Sequence, residues 1–187
     1  MDRAGYVLVG GRSSRMGREK ALLPFRGGLL GASVARAVEQ AAGSVTLVGN
    51  PDLAAALGRP AIPDLFPGEG PLAGILAALG HTTAEWNLLA ACDMPRLSAG
   101  FLCALIDEAE RCGADALVPV APSGRPEPLC AAYHRRCRPA LEAAFARGVR
   151  KVTLALADLR IVWRSAPEAT PFQNVNTPED WAAYASD

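Results

Sequence analysis

Histidine is scarce in this sequence, and so are cysteine pairs, charge excess and long apolar runs. Its 187 residues include only two histidines, His81 and His134, far apart in the chain. A histidine-bearing zinc site or a Ser/His/Asp triad therefore has little material to draw on. The five cysteines (Cys92, Cys103, Cys112, Cys130 and Cys137) are odd in number and contain no C-x-x-C pair. A disulfide scaffold or a structural zinc site leaves a tighter spacing, so these read as the reduced thiols of a cytoplasmic protein. Basic and acidic residues balance at 19 each. A neutral chain lacks the electrostatic footprint of one that wraps nucleic acid. No apolar run approaches the ~18 residues that span a bilayer. Met1-Asp2-Arg3 leads straight into a strand, without the regions of a signal peptide.

What the chain does have is apolar residues, half of the total. That is enough for one domain over 1–187 to bury a core without staples. Strand-like runs at 5–10, 44–50, 60–64, 86–93, 116–121, 128–133 and 159–164 alternate with helical patterns at 29–43, 51–58, 71–80, 97–113 and 137–148. Gly43 reads as a helix C-cap, Pro71 as a first helical residue and Ser98 as an N-cap. The expected fold class is α/β, a Rossmann-like three-layer α/β/α sandwich with a mainly parallel sheet. The alternation breaks between Val120 and Cys137, where one strand is expected to run antiparallel. Ligands in such sheets sit beyond the carboxyl ends of the strands. The polar stretches 10–20, 64–70 and 92–95 all follow strand ends, so they are expected on one rim.

Each of these stretches carries residues suited to phosphate chemistry. Gly10 and Gly11 let the backbone turn tightly and expose N–H groups, while Arg12, Arg15, Arg18 and Lys20 supply positive charge. The spacing is neither that of a Walker A loop nor G-x-G-x-x-G. Asp93, in Cys92-Asp93-Met94-Pro95, ends an apolar strand, where a carboxylate suits Mg²⁺. In 62–75, Asp64 and Glu69 accompany Gly68, Gly70 and Gly74, which give the backbone room near a flat ligand. In 174–180, Thr177 reads as an N-cap, Pro178 as the first helical residue and Asp180 as the acid of a capping box. Those roles leave Asn174 and Asn176 without a structural duty.

Leu8-Val9-Gly10-Gly11 with Ser13, Arg15-Met16-Gly17 and Lys20 resembles the signature of NTP-transferase-like nucleotidyltransferases. Taken with Asp64, the run Gly70-Pro71-Leu72-Ala73-Gly74, Cys92-Asp93-Met94-Pro95 and Asn174-Val175-Asn176-Thr177-Pro178-Glu179-Asp180, the sequence most resembles the molybdenum cofactor guanylyltransferases of the MobA-like family. The resemblance runs from Gly5 to Tyr184 and implies a nucleotide-diphospho-sugar transferase-like fold. It implies that Leu8, Val9, Gly10, Gly11 and Lys20 hold the nucleotide, with Arg15 and Lys20 on its phosphates. It further implies that Asn50 and Asp64 bind nucleotide, that Asp93 is the Mg²⁺ ligand, and that Asn174 and Asn176 lie near the pterin and metal. Val9 replaces the usual alanine, and Arg125-Pro126-Glu127-Pro128-Leu129 stands where some members carry a histidine–proline pair.

The implied reaction moves GMP from GTP to the terminal phosphate of molybdopterin, with Mg²⁺ as cofactor. Its substrates are GTP and the molybdopterin cofactor, with transient contacts to cofactor-delivery or acceptor molybdoenzymes, and with neither nucleic acid nor membrane as partner. A phosphate monoester has a second pKa of about 6, so the nucleophile is already ionised at neutral pH and the lack of histidine costs nothing. Cytidylyl transfer from CTP to the same pterin is the nearest alternative. A sugar-phosphate nucleotidylyltransferase and a non-catalytic nucleotide-binding paralogue are further ones.

Overall fold

A computed structural model describes residues 2–9, 19–175, 181 and 184. The element order is β1 (Arg3–Leu8), β2 (Pro24–Phe25), β3 (Gly28–Leu29), α1 (Leu30–Ala42), β4 (Thr46–Gly49), α2 (Leu53–Leu57), β5 (Ala61–Pro63), α3 (Pro71–His81), β6 (Trp86–Ala91), α4 (Ala99–Cys112), β7 (Ala116–Val120), β8 (Cys130–His134), α5 (Arg138–Ala146), α6 (Val152–Ala155) and β9 (Ile161–Ser165). The main sheet has the order β5-β4-β1-β6-β8-β7-β9. β1 pairs in parallel with β4 and β6, β4 with β5, and β7 with β9, whereas β8 is antiparallel to both β6 and β7. Every strand of this sheet but β8 therefore runs in one direction, and the reversed strand lies where the alternation was expected to break.

Strand alternation sorts the core onto two faces. Val7 on β1 and Leu88 and Ala90 on β6 join Leu30, Val34, Leu102 and Leu105 of α1 and α4. Tyr6 and Leu8 on β1 and Leu89 on β6 join Leu72, Ile75, Leu141 and Val152 of α3, α5 and α6 on the other face. The result is the expected three-layer sandwich. Gly5 allows β1 to approach α1 closely, since a Cβ there would stand 2.5 Å from both the Ser44 carbonyl and Val38 Cγ1.

Local signals act as their chemistry dictates. Ser98 accepts the Phe101 N–H at the start of α4, Pro71 opens α3, and Gly43 closes α1 with φ of 79°. The short β2–β3 hairpin, the 3₁₀ turn Lys20–Leu22 and α6 add to the elements expected from the sequence. The helix expected from Thr177, with Pro178 and Asp180, lies outside the described residues. All five cysteines are free thiols. No helix among the described residues is long and apolar enough to cross a membrane.

Candidate active site

The chain leaves β1, builds β4 and β5 on one side, then returns to place β6 on the other. That reversal splays the connections apart beyond the carboxyl ends of the strands. A cleft of about 930 Å³ lies there, at the upper end of the ~300–1,000 Å³ usual for small-molecule sites. Leu8, Val9, Lys20, Asn50, Asp64, Asp93 and Asn174 all line it. Gly10, Gly11, Arg15 and Asn176 lie outside the described residues.

Asp93 sits just past β6, whose neighbour β1 is level with it: the Cys92 N–H donates to the Leu8 carbonyl at 3.1 Å. The 3₁₀ turn after the first loop brings Lys20 Nζ to 3.2 Å from Asp93 Oδ2, with both side chains about one-fifth exposed. The tail then returns to the same point, where the Val175 N–H donates to the Asp93 carbonyl at 2.9 Å. This backbone bond carries Asn174 into the cleft. Asp93 Oδ1 and Asn174 Oδ1 are buried without a hydrogen-bond partner among the described residues. Orphaned buried oxygens are costly, and hard oxygen donors are what Mg²⁺ takes. The residues present thus fit a divalent cation.

At the far side of the cleft, Asn50 Oδ1 accepts the Asp52 N–H at 3.0 Å and Asp64 Oδ1 accepts the Phe66 N–H at 2.9 Å. Both side chains shape the turns that follow β4 and β5. Gly68 and Gly70 have φ of 87° and 89°, values at which a side chain is strained.

Glu127 carries no motif that marks it as a candidate in the sequence. It is buried, and its Oε1 accepts from Arg125 Nε at 2.7 Å. Burial pushes its carboxyl up, the Arg125 hydrogen bond opposes this, and the Asp93 charge adds to the rise. Its only sequence signal was the Arg125-Pro126-Glu127-Pro128-Leu129 departure, whose prolines stiffen the approach to β8. Burial also pushes the Cys92 thiol up to about 12, with help from Asp93, so Cys92 stays protonated and is no nucleophile. The histidines serve structure: His81 Nδ1 is 3.1 Å from the Tyr6 hydroxyl, and His134 Nδ1 accepts the Arg136 N–H at 3.1 Å.

A family model described as the MobA-like NTP transferase domain matches residues 5–160. The "Probable molybdenum cofactor guanylyltransferase" of Bacillus cereus (strain ATCC 10987 / NRS 248) is 30% identical, covering 98% of this chain and 96% of that protein. The crystal structure of molybdopterin-guanine dinucleotide biosynthesis protein A from Archaeoglobus fulgidus is 32% identical, with a TM-score of 0.83 over 98% of this chain and 97% of that one. The 2-C-methyl-D-erythritol 4-phosphate cytidylyltransferase of Thermus thermophilus, at 19% identity and a TM-score of 0.72 over 97% and 96%, shares the fold. With a family model over most of its length and a relative matched from end to end, the chain belongs to the MobA-like NTP transferase family.

Proposed function

We propose that this chain is a nucleotidyltransferase that moves GMP from GTP to the terminal phosphate of molybdopterin, forming the guanine dinucleotide cofactor and pyrophosphate. The observation that carries the reading is the Lys20–Asp93 pair at the joined ends of β1 and β6, flanked by the orphaned oxygens of Asp93 and Asn174. Its family, and the names of its relatives, support the same chemistry. Among the described residues the cleft sets Glu19, Asp64 and Asp93 against Lys20. Such a lining repels phosphates until more cations join it. In this reading Arg15 supplies one, and Mg²⁺ held by Asp93 and Asn174 supplies another, neutralising phosphate charge when bound.

Lys20, Arg15 and the backbone of residues 8–11 grip the triphosphate. Asn50 and Asp64 face the nucleoside half, and Asn174 and Asn176 the pterin side. An oxygen of the acceptor phosphate, largely ionised at neutral pH, forms the new bond to the α-phosphorus. The bond between the α-phosphorus and the bridging oxygen breaks, and its electron pair leaves with pyrophosphate. No proton has to be removed, so the reaction asks for positioning and charge stabilisation. The chain acts as one domain over 1–187, in the cytoplasm, in transient contact with proteins that deliver the pterin or accept the product.

The test is incubation with molybdopterin, Mg²⁺ and labelled GTP or CTP, followed by product identification. Labelled GMP joined to the pterin, with pyrophosphate released, is the expected result. Incorporation from CTP alone overturns the base assignment, and no incorporation from either overturns the enzyme assignment.

A further inference from the structure

We infer that Arg150, which stands outside the cleft, is a positioning residue for the nucleoside half of the nucleotide, acting through a clasp on the loop between β5 and α3. The inference rests on the nucleotide-binding reading of the cleft. Asp93 follows β6, on one side of β1, whereas Asp64 follows β5, at the opposite edge of the sheet. A triphosphate gripped at Lys20 and Asp93 therefore points its nucleoside toward β4 and β5. The loop there lines the cleft with Asp64, Pro67, Gly68 and Gly70.

Little within the loop itself holds that wall. The Phe66 N–H bonds to Asp64 Oδ1 and the Glu69 N–H to the Phe66 carbonyl, while Leu65 and Phe66 remain 59% and 44% exposed. Two glycines at positive φ bracket Glu69 and add backbone freedom. The anchor comes from beyond α5. Arg150 Nε donates to Glu69 Oε2, and Nη1 donates to the Phe145 carbonyl at 2.8 Å. The guanidinium carbon lies 3.8 Å from the centre of the Phe145 ring. Phe66 packs on the same Phe145 ring, with centroids 4.8 Å apart. Arg150 thus fastens the loop directly at Glu69 through an ion pair, and it covers the Phe145 ring on which Phe66 packs. A planar fork suits this double duty and an ammonium does not.

A clasp of this kind acts on binding of substrate and transition state alike, so it is read in KM rather than kcat. In the full-length protein, Arg150→Ala is expected to raise the KM and Kd for GTP about three- to fivefold, equal to about 0.7–1 kcal/mol, because the Arg150–Glu69 pair is itself partly exposed. The kcat should stay within about twofold. Inhibition by tripolyphosphate, which lacks a nucleoside, should be unchanged. Arg150→Lys should recover part of the loss, and Glu69→Gln should add little to Arg150→Ala. Unchanged GTP affinity in Arg150→Ala, with the wild type binding GTP, overturns the clasp alone. Equal weakening of GTP and tripolyphosphate overturns it too, because a general disturbance of the site would do that. A wild type that binds no GTP overturns the nucleotide reading and the clasp with it.

Discussion

Replacing Asp93 by alanine should abolish transfer and yet raise the melting temperature of the ligand-free protein. The carboxylate holds one oxygen, Oδ1, buried with no partner among the described residues, a cost of about 1–3 kcal/mol. Its other oxygen meets Lys20 at 3.2 Å across a partly exposed gap, worth about 0.5–1 kcal/mol at most. The Asp93 charge also opposes ionisation of the buried Glu127 nearby. The contact that ties down the tail uses the Asp93 backbone carbonyl, which alanine keeps. The net expectation is a gain of about 1 kcal/mol, or about 2–4 °C in Tm for a chain of this size. Loss of a group that stabilises charge on the transferring phosphate should cost at least ~10²–10³ in kcat. Thermal denaturation without nucleotide, with chelator present, reads the first effect, and the labelled-GTP transfer assay reads the second. A Tm lowered by several degrees would refute the claim that the unpartnered Oδ1 costs more than the Lys20 contact returns. Near-normal turnover would refute its metal role.

Asp115 offers a contrasting carboxylate, one whose partners are all in place. It accepts Arg136 Nε at 2.6 Å and Arg160 Nη2 at 2.9 Å, and the Arg160 hydrogen bond holds its carboxyl well below the usual range. With its folded pKa below the unfolded value of about 3.9, the folded state binds fewer protons than the unfolded one, so this contribution is present above that value and lost as pH falls. Asp115→Asn should therefore lower Tm at pH 7 and flatten its decline below about pH 5, as measured by Tm against pH. Gly70→Ala should destabilise by about 1–3 kcal/mol, because φ of 89° with ψ of 179° is a glycine region. The same variant should raise the GTP KM, since the wall of the cleft shifts; an unchanged Tm would show that the loop accommodates the side chain freely.

Much of this architecture was readable from local pattern. The apolar, buried β1 and β6 segments, the caps at Gly43, Pro71 and Ser98, and the break that announced the antiparallel β8 all encode conformation within a few residues. The part of the rim within the described residues, which brings Lys20, Asp64 and Asp93 to one cleft, was readable too, because strand direction in an alternating α/β chain dictates which connections share an end. The β2–β3 hairpin was not, since two-residue strands are too short to show a period. Nor did sequence spacing announce that the Asp93 charge acts on the buried Glu127, or that Arg150 pairs with Glu69. The sequence by itself determined the fold class and the residue types suited to phosphate chemistry. Only the tertiary structure decided that Lys20 faces Asp93, that the tail brings Asn174 to the same point, and that Arg150 grips the opposite wall. The reason is physical: propensity and periodicity act between near neighbours, whereas these contacts join residues that meet only when the sheet and its helices have closed around the core.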